Sequence, residues 1–170
     1  AVSTGVMLFG LGYLYAMAGS TFFADIIRAL PEFISQPIGI LALALTMTGF
    51  FFKLSLFPLH FWAPDIYEGA SNTTTTFIAT VPKIAAVAPL IRIAMLVPSV
   101  SLPLANILII LAALSMTVGN LIGLIQKDVK RLLAYSGIAH AGYLILGIIS
   151  LNSGGGASAI YYIAIYLFMN

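Results

Sequence analysis

Hydrophobic residues run along this chain in six long stretches, about 1–18, 37–63, 72–97, 103–125, 131–150 and 157–170. Each approaches the roughly 20 residues that carry a helix across a hydrocarbon layer. Turn-forming residues separate them: Gly19-Ser20, Pro37, Pro64 to Ala70, Pro98-Ser99, Lys127-Asp128 and the run Gly154 to Gly156. The connections are short, so successive helices are expected to run antiparallel. Between the first two stretches, TFFADIIRALP (21–31) places Phe22, Phe23, Ile26, Ile27 and Leu30 on one side and Asp25 and Arg28 elsewhere, the pattern of a short helix lying in the interface. The expectation is an all-α polytopic transmembrane bundle of about six helices, one transmembrane domain over 1–170. It starts at Ala1 and stops inside an apolar pattern, as the central part of a longer chain would.

Composition agrees with the pattern. The chain is 61% apolar and 7% charged, against about 25% charged in a soluble domain. With a mean hydropathy of +1.10, its solvent is the lipid bilayer. The net charge is +2, but the seven basic residues are scattered and form no stripe that could follow a phosphate backbone, so nucleic acid is not an expected partner. The absence of cysteine excludes disulfides, thiolate metal ligation and iron–sulfur clusters held by this chain. Counting crossings puts the loops at 64–71 and 126–131 on one side. Lys127, Lys130 and Arg131 there, against Arg28 and Arg92 at the other, assign that side to the cytoplasm or matrix.

The informative residues break the apolar rule. Lys53 lies 11 residues before Pro64 and Lys83 lies 11 residues after Asn72, so on continuous helices both stand about 16 Å from the same surface, near the middle of a core about 30 Å thick. A lysine there costs roughly 2.5–3.5 kcal/mol unless it faces protein, water or a counter-charge. Thr46, Lys53 and His60 form one stripe at spacings of seven. Thr76, Thr80 and Lys83 form a second, and Ser136, His140 and Tyr143 a third. If the stripes face one another, they enclose a file through which protons could hop. Two ammonium groups at about 8 Å would repel by roughly 2 kcal/mol, so such a pair would not readily hold two protons together. Pro58 cannot donate to the carbonyl of Leu54, and Pro82 stands beside Lys83, so broken helices are expected near both. Bland roles compete: a helix-end anchor for His60, a satisfied structural residue for His140, a cap and basic-residue partners for Asp65 and Glu68, and a structural pair for Arg92.

Three stretches carry a resemblance: FFKLSLFPLHFWAPDIYEGA (51–70), VPKIAAVAPLIRIA (81–94) and GLIQKDVKRLLAYSGIAHAGYLILG (123–147). Together they resemble the antiporter-like membrane subunits of respiratory complex I, and PDIYEGA is most similar to the subunit N branch, subunit 2 of mitochondria. Where this chain reads SNTTTT (71–76), that family commonly has a proline-containing turn. The resemblance implies a non-redox, proton-translocating part of an NADH:quinone oxidoreductase. Within it Lys53 sits on a broken helix, Lys83 passes protons along a central axis, and His60 and His140 relay protons or order water. It implies a bacterial or mitochondrial inner membrane, other membrane-arm subunits as partners, no cofactor on this chain, and FMN, iron–sulfur clusters and quinone elsewhere in the complex. The competing readings are a subunit of an Mrp-type Na⁺/H⁺ antiporter, the membrane subunit of a related hydrogenase or dehydrogenase, and a purely structural scaffold.

Overall fold

The computed structural model describes residues 2–96, 102–150 and 155–169, with side chains except those of 92–96, 102–105 and 155–156. Among the described residues there are eight helices and no strand: α1 (Val2–Ala18), α2 (Phe23–Ile34), α3 (Pro37–Leu54), α4 (Trp62–Gly69), α5 (Asn72–Leu96), α6 (Leu102–Leu124), α7 (Val129–Ile149) and α8 (Gly155–Met169). The expected boundaries at Pro98-Ser99 and Gly154, and the side chain of Arg92, lie outside the described residues. Among the described residues four helices are long and apolar enough to cross a membrane, Pro37–Leu54, Asn72–Ile91, Asn106–Leu124 and Val129–Ile149, and there are five if the bent pair of α1 with α2 is one span. The helices fall into two compact units, residues 1–52 and 53–170.

In the first unit, Gly19 ends α1 with φ +66, a left-handed conformation that glycine adopts without steric cost, and its N–H closes on the carbonyl of Tyr15 at 2.8 Å. The chain then turns by 81° into α2. Ser20 donates to Asp25 at 2.7 Å across the corner. The interfacial pattern read for 21–31 becomes a helix that extends through Pro31 to Ile34, burying Ile27, Leu30 and Phe33, while Phe22 and Phe23 stay exposed. The first helix meets α3 through a glycine. A methyl group on Gly10 would stand 2.6 Å from the backbone nitrogen of Thr46 and 2.8 Å from the carbonyl of Ala42, the close approach that small residues permit between membrane helices. Thr46 is buried in this contact, and its hydroxyl donates to Ala42 at 2.8 Å within its own helix.

In the second unit, α6 and α7 form a tight antiparallel hairpin. Gly119 abuts Ala139 and the carbonyl of Tyr135, and Gly142 abuts Met116 and the carbonyl of Ala112. Asp128 caps α7 by accepting from the N–H of Arg131 at 3.0 Å. At the same end Arg131 bonds Asp65 at 3.0 Å and Glu68 at 2.7 Å, and Lys130 donates to the carbonyl of Ala70 at 2.7 Å. These bonds bring the segments 65–70 and 126–131 together, as the count of crossings expects. Glu68 and Asp65 are thus partners for a basic residue. Asp65 stands in the first turn of α4, which has no side-chain cap.

The stretch read as one helix over 37–63 is interrupted. It ends at Leu54, one residue past Lys53, and helix resumes at Trp62. Pro58 explains the interruption, since its ring leaves the carbonyl of Leu54 without its helical donor. Ser55, with φ 59, turns the chain, and Leu54, Ser55 and Leu56 are fully buried. Backbone left open in such a place must find partners in protein. The N–H of Phe57 donates to the hydroxyl of Ser115 on α6 at 2.9 Å, and that hydroxyl donates onward to Leu111 at 2.7 Å. The second expected break does not occur: α5 runs on through both Pro82 and Pro89. A proline removes one intrahelical donor and bends a helix, but flanking turns carry the helix past it when neighbours hold them.

Two outcomes follow from the packing. Gly10→Ala should lower the amount of folded protein in membranes by about 1–3 kcal/mol of stability, an overpacking effect, whereas Gly5→Ala, with open space at its Cβ, should not. Ser115→Ala should strand the Phe57 N–H and lower the midpoint of thermal unfolding, by a free energy of about 1–3 kcal/mol. Thr117→Val, on the exposed face of α6 with its hydroxyl bonded to Ala113 in its own helix, should leave it nearly unchanged.

Candidate functional site

Four of the predicted residues carry the site hypothesis, and the structure treats them differently. Lys83 projects from the middle of α5 and is 3% exposed. Its Nζ donates to the carbonyl of Gly137 on α7 at 3.1 Å and to the hydroxyl of Tyr166 on α8 at 3.0 Å, and it stands 5.1 Å from the centre of the Tyr166 ring. Among the described residues the ion pairs are those of Arg131 alone. The ammonium group therefore rests on neutral dipoles and an aromatic face. Hydrogen bonds to a charged donor contribute about 1.5–3 kcal/mol each, which offsets the roughly 2.5–3.5 kcal/mol that a midmembrane lysine costs.

Gly137 makes this approach possible. A methyl group there would lie 2.7 Å from Lys83 Nζ and 2.9 Å from the Tyr166 oxygen, so a side chain would push both away. The carbonyl keeps a second lone pair while it serves its helix, and that is what the lysine uses.

His140 sits one turn along α7 from Gly137. Its Nδ1 lies 2.5 Å from the Tyr162 hydroxyl, and its ring centroid is 5.3 Å from that of Tyr166 and 6.2 Å from that of Tyr143. Lys83, Gly137, His140 and Tyr166 share the wall of a void of about 10 Å³, near the threshold for a single water. On the other side of His140 opens a cavity of about 360 Å³, lined also by Ser158, Tyr161, Tyr162 and Tyr166. Its lining is mostly apolar, with a few hydroxyls and one imidazole as polar partners for water.

The other two candidates stand elsewhere. Lys53 is half-buried in the last turn of α3, and no hydrogen bond joins it to Lys83 among the described residues. The equal-depth estimate assumed continuous helix from 53 to 64, and the interruption at 55–61 removes that assumption for Lys53. It stands for Lys83, eleven residues into α5. His60 lies inside the interruption, 3% exposed, with ring centroids 5.5 Å from Phe57 and 4.3 Å from Phe61. Among the described residues its Nδ1 has no hydrogen-bond partner. Of the stripes, Thr80 and Lys83 share a buried face. Thr76 is exposed and donates to Asn72 in its own helix.

Tyr162 and Tyr166 were absent from the sequence-derived site. They stand one turn apart on an apolar helix, which is the signal that pairs a hydroxyl with each of two neighbouring ionisable groups.

The whole chain, residues 1–170, matches the family described as NADH:quinone oxidoreductase/Mrp antiporter, transmembrane. It is 50% identical over 98% of its length to NADH-quinone oxidoreductase subunit N 2 of Opitutus terrae and 46% identical over 94% to the protein of that name from Syntrophobacter fumaroxidans. It covers 35% and 34% of those proteins, so the chain spans about a third of the relatives it matches. Among solved structures it is similar to a chain of respiratory complex I from Thermus thermophilus with bound aureothin (TM-score 0.70, 36% identity, 95% of this chain and 35% of that one). It is also similar to a chain of an archaeal membrane-bound sulfane sulfur reductase (TM-score 0.85, 28% identity, 98% and 34%). A chain of the Mrp complex from Dietzia shares the fold at TM-score 0.83 and 19% identity, covering 98% of this chain and 30% of that one. The interrupted third helix, the hairpin of α6 and α7 and the apolar spans are thus those of an integral membrane protein, and the chain belongs to the NADH:quinone oxidoreductase/Mrp antiporter transmembrane family.

Proposed function

We propose that this chain is the proton-carrying part of a subunit N-type protein in the membrane arm of a proton-pumping NADH:quinone oxidoreductase, and that it does no electron transfer itself. In this reading Lys83 is the central proton-holding group and His140 receives from it or supplies it. Lys53 exchanges charge at the end of its interrupted helix, and His60 orders the polar groups of the interruption. Partners are the neighbouring subunits of the membrane arm and the lipid around them, and flavin, iron–sulfur and quinone chemistry belongs to other subunits. The observation that carries the reading is the burial of Lys83 on a carbonyl and a hydroxyl. A static ion pair would have a carboxylate there. Among the described residues this cation is balanced by dipoles, and a cation held that way responds to any charge that approaches or leaves, which a gated proton site requires. The relatives' names support the choice of complex I over the sibling assemblies that share the fold.

In membrane vesicles carrying the complete complex, Lys83→Met and Lys53→Met should each lower NADH-driven proton uptake by about tenfold or more, as loss of a proton-transfer group does. Lys53→Arg should retain more activity than Lys53→Met. Lys83→Arg should not, because the larger planar guanidinium would have to displace the Gly137 carbonyl or Tyr166 from a site that is 3% exposed. Full proton stoichiometry in both methionine variants would end the relay reading, and sodium-for-proton exchange without NADH would move the chain to the antiporter class.

A further inference from the structure

Helix α8 holds both ionisable groups of the site with two tyrosines one turn apart: Tyr166 on Lys83 and Tyr162 on His140. Tyr166 has its oxygen 3.0 Å from Lys83 Nζ and its ring 5.3 Å from His140, and it lines both the small void and the larger cavity. His140 lines both as well, and of the two it is Tyr166 that hydrogen-bonds Lys83. We infer that the Tyr166 hydroxyl is the group through which Lys83 exchanges its proton with the cavity beside His140, and that Tyr162 is a positioning residue that sets the orientation of the His140 ring. The inference rests on the relay reading of Lys83 and His140 and adds the connection between them.

The step balances without any oxidant or metal. An Nζ–H bond of the Lys83 ammonium breaks as a bond forms from that proton to the Tyr166 oxygen. In concert the proton already on that oxygen leaves toward the His140 ring or a water in the cavity. The lysine ends neutral, the acceptor gains one positive charge, and the tyrosine is a neutral phenol before and after. While Lys83 is charged, its Nζ donates and Tyr166 accepts; once Lys83 is neutral, its lone pair can accept from the Tyr166 hydroxyl. The direction of this hydrogen bond therefore follows the charge of the lysine. Gly137 completes the geometry, since its carbonyl offers Nζ an acceptor that cannot take a proton.

The test uses the complete complex in vesicles, measuring protons moved per NADH oxidised, with Lys83→Met as the reference. Tyr166→Phe keeps the ring and removes the hydroxyl, and should lower proton movement about tenfold. If Lys83→Met abolishes pumping while Tyr166→Phe keeps it, the tyrosine role is overturned and the lysine role stands. If Lys83→Met pumps normally, both fall. Should Tyr166→Phe not assemble, 3-fluorotyrosine at position 166, which keeps size and hydroxyl but acidifies the phenol, should change the pumping rate, and an unchanged rate overturns the inference. Tyr162→Phe should lower pumping about three- to tenfold alone and add nothing in a His140→Leu background, because it acts only through that ring. Independent, additive losses would overturn its positioning role.

Discussion

A positive charge inside an apolar bundle has to be given acceptors by the protein, and the second unit of this chain is arranged around that requirement at Lys83. The lysine comes from the middle of α5, its carbonyl partner from α7 and its hydroxyl partner from α8. Three helices must therefore hold their register for one ammonium group to stay satisfied. Small residues make the register possible: Gly137 lets the lysine reach the helix backbone, and Gly119 and Gly142 let α6 and α7 close to contact distance, fixing the helix that supplies the carbonyl.

The same demand, applied to backbone groups, explains the interruption after α3. Once Pro58 ends the helical hydrogen bonds, open N–H and C=O groups stand where no bulk water reaches. Ser115 meets one of them from α6, the helix that also packs against α7, which carries the carbonyl that accepts from the lysine. Ser55 Oγ and His60 Nδ1 stay buried without hydrogen-bond partners among the described residues. Buried polar atoms of native proteins are normally bonded to protein or to ordered water, so these two atoms stand out in the segment that follows Lys53.

Much of this was legible in the residues. The apolar stretches fix the helices, Pro58 announces the interruption, and a lysine in the middle of an apolar run declares itself at position 83. Counting crossings put the loops at 64–71 and 126–131 at one end of the bundle, and Arg131 joins those segments through Asp65 and Glu68. Three features were not legible for physical reasons. A proline either stops or merely bends a helix depending on what surrounds it, so Pro58 and Pro82 look alike in sequence and differ in space. A spacing of seven names a face without naming its neighbour, so the packing of Thr46 against Gly10 could not be read from its stripe. Tyr162 and Tyr166 are ordinary members of an apolar helix until α7 brings His140 and Gly137 against them.

The most direct measurement is a density map of the complete complex at a resolution that shows side-chain nitrogens and ordered water. The account predicts Lys83 Nζ within hydrogen-bond distance of the Gly137 carbonyl and the Tyr166 hydroxyl, with water in the cavity beside His140. A Lys83 side chain directed into lipid, or one locked against a carboxylate with that cavity dry, would contradict it.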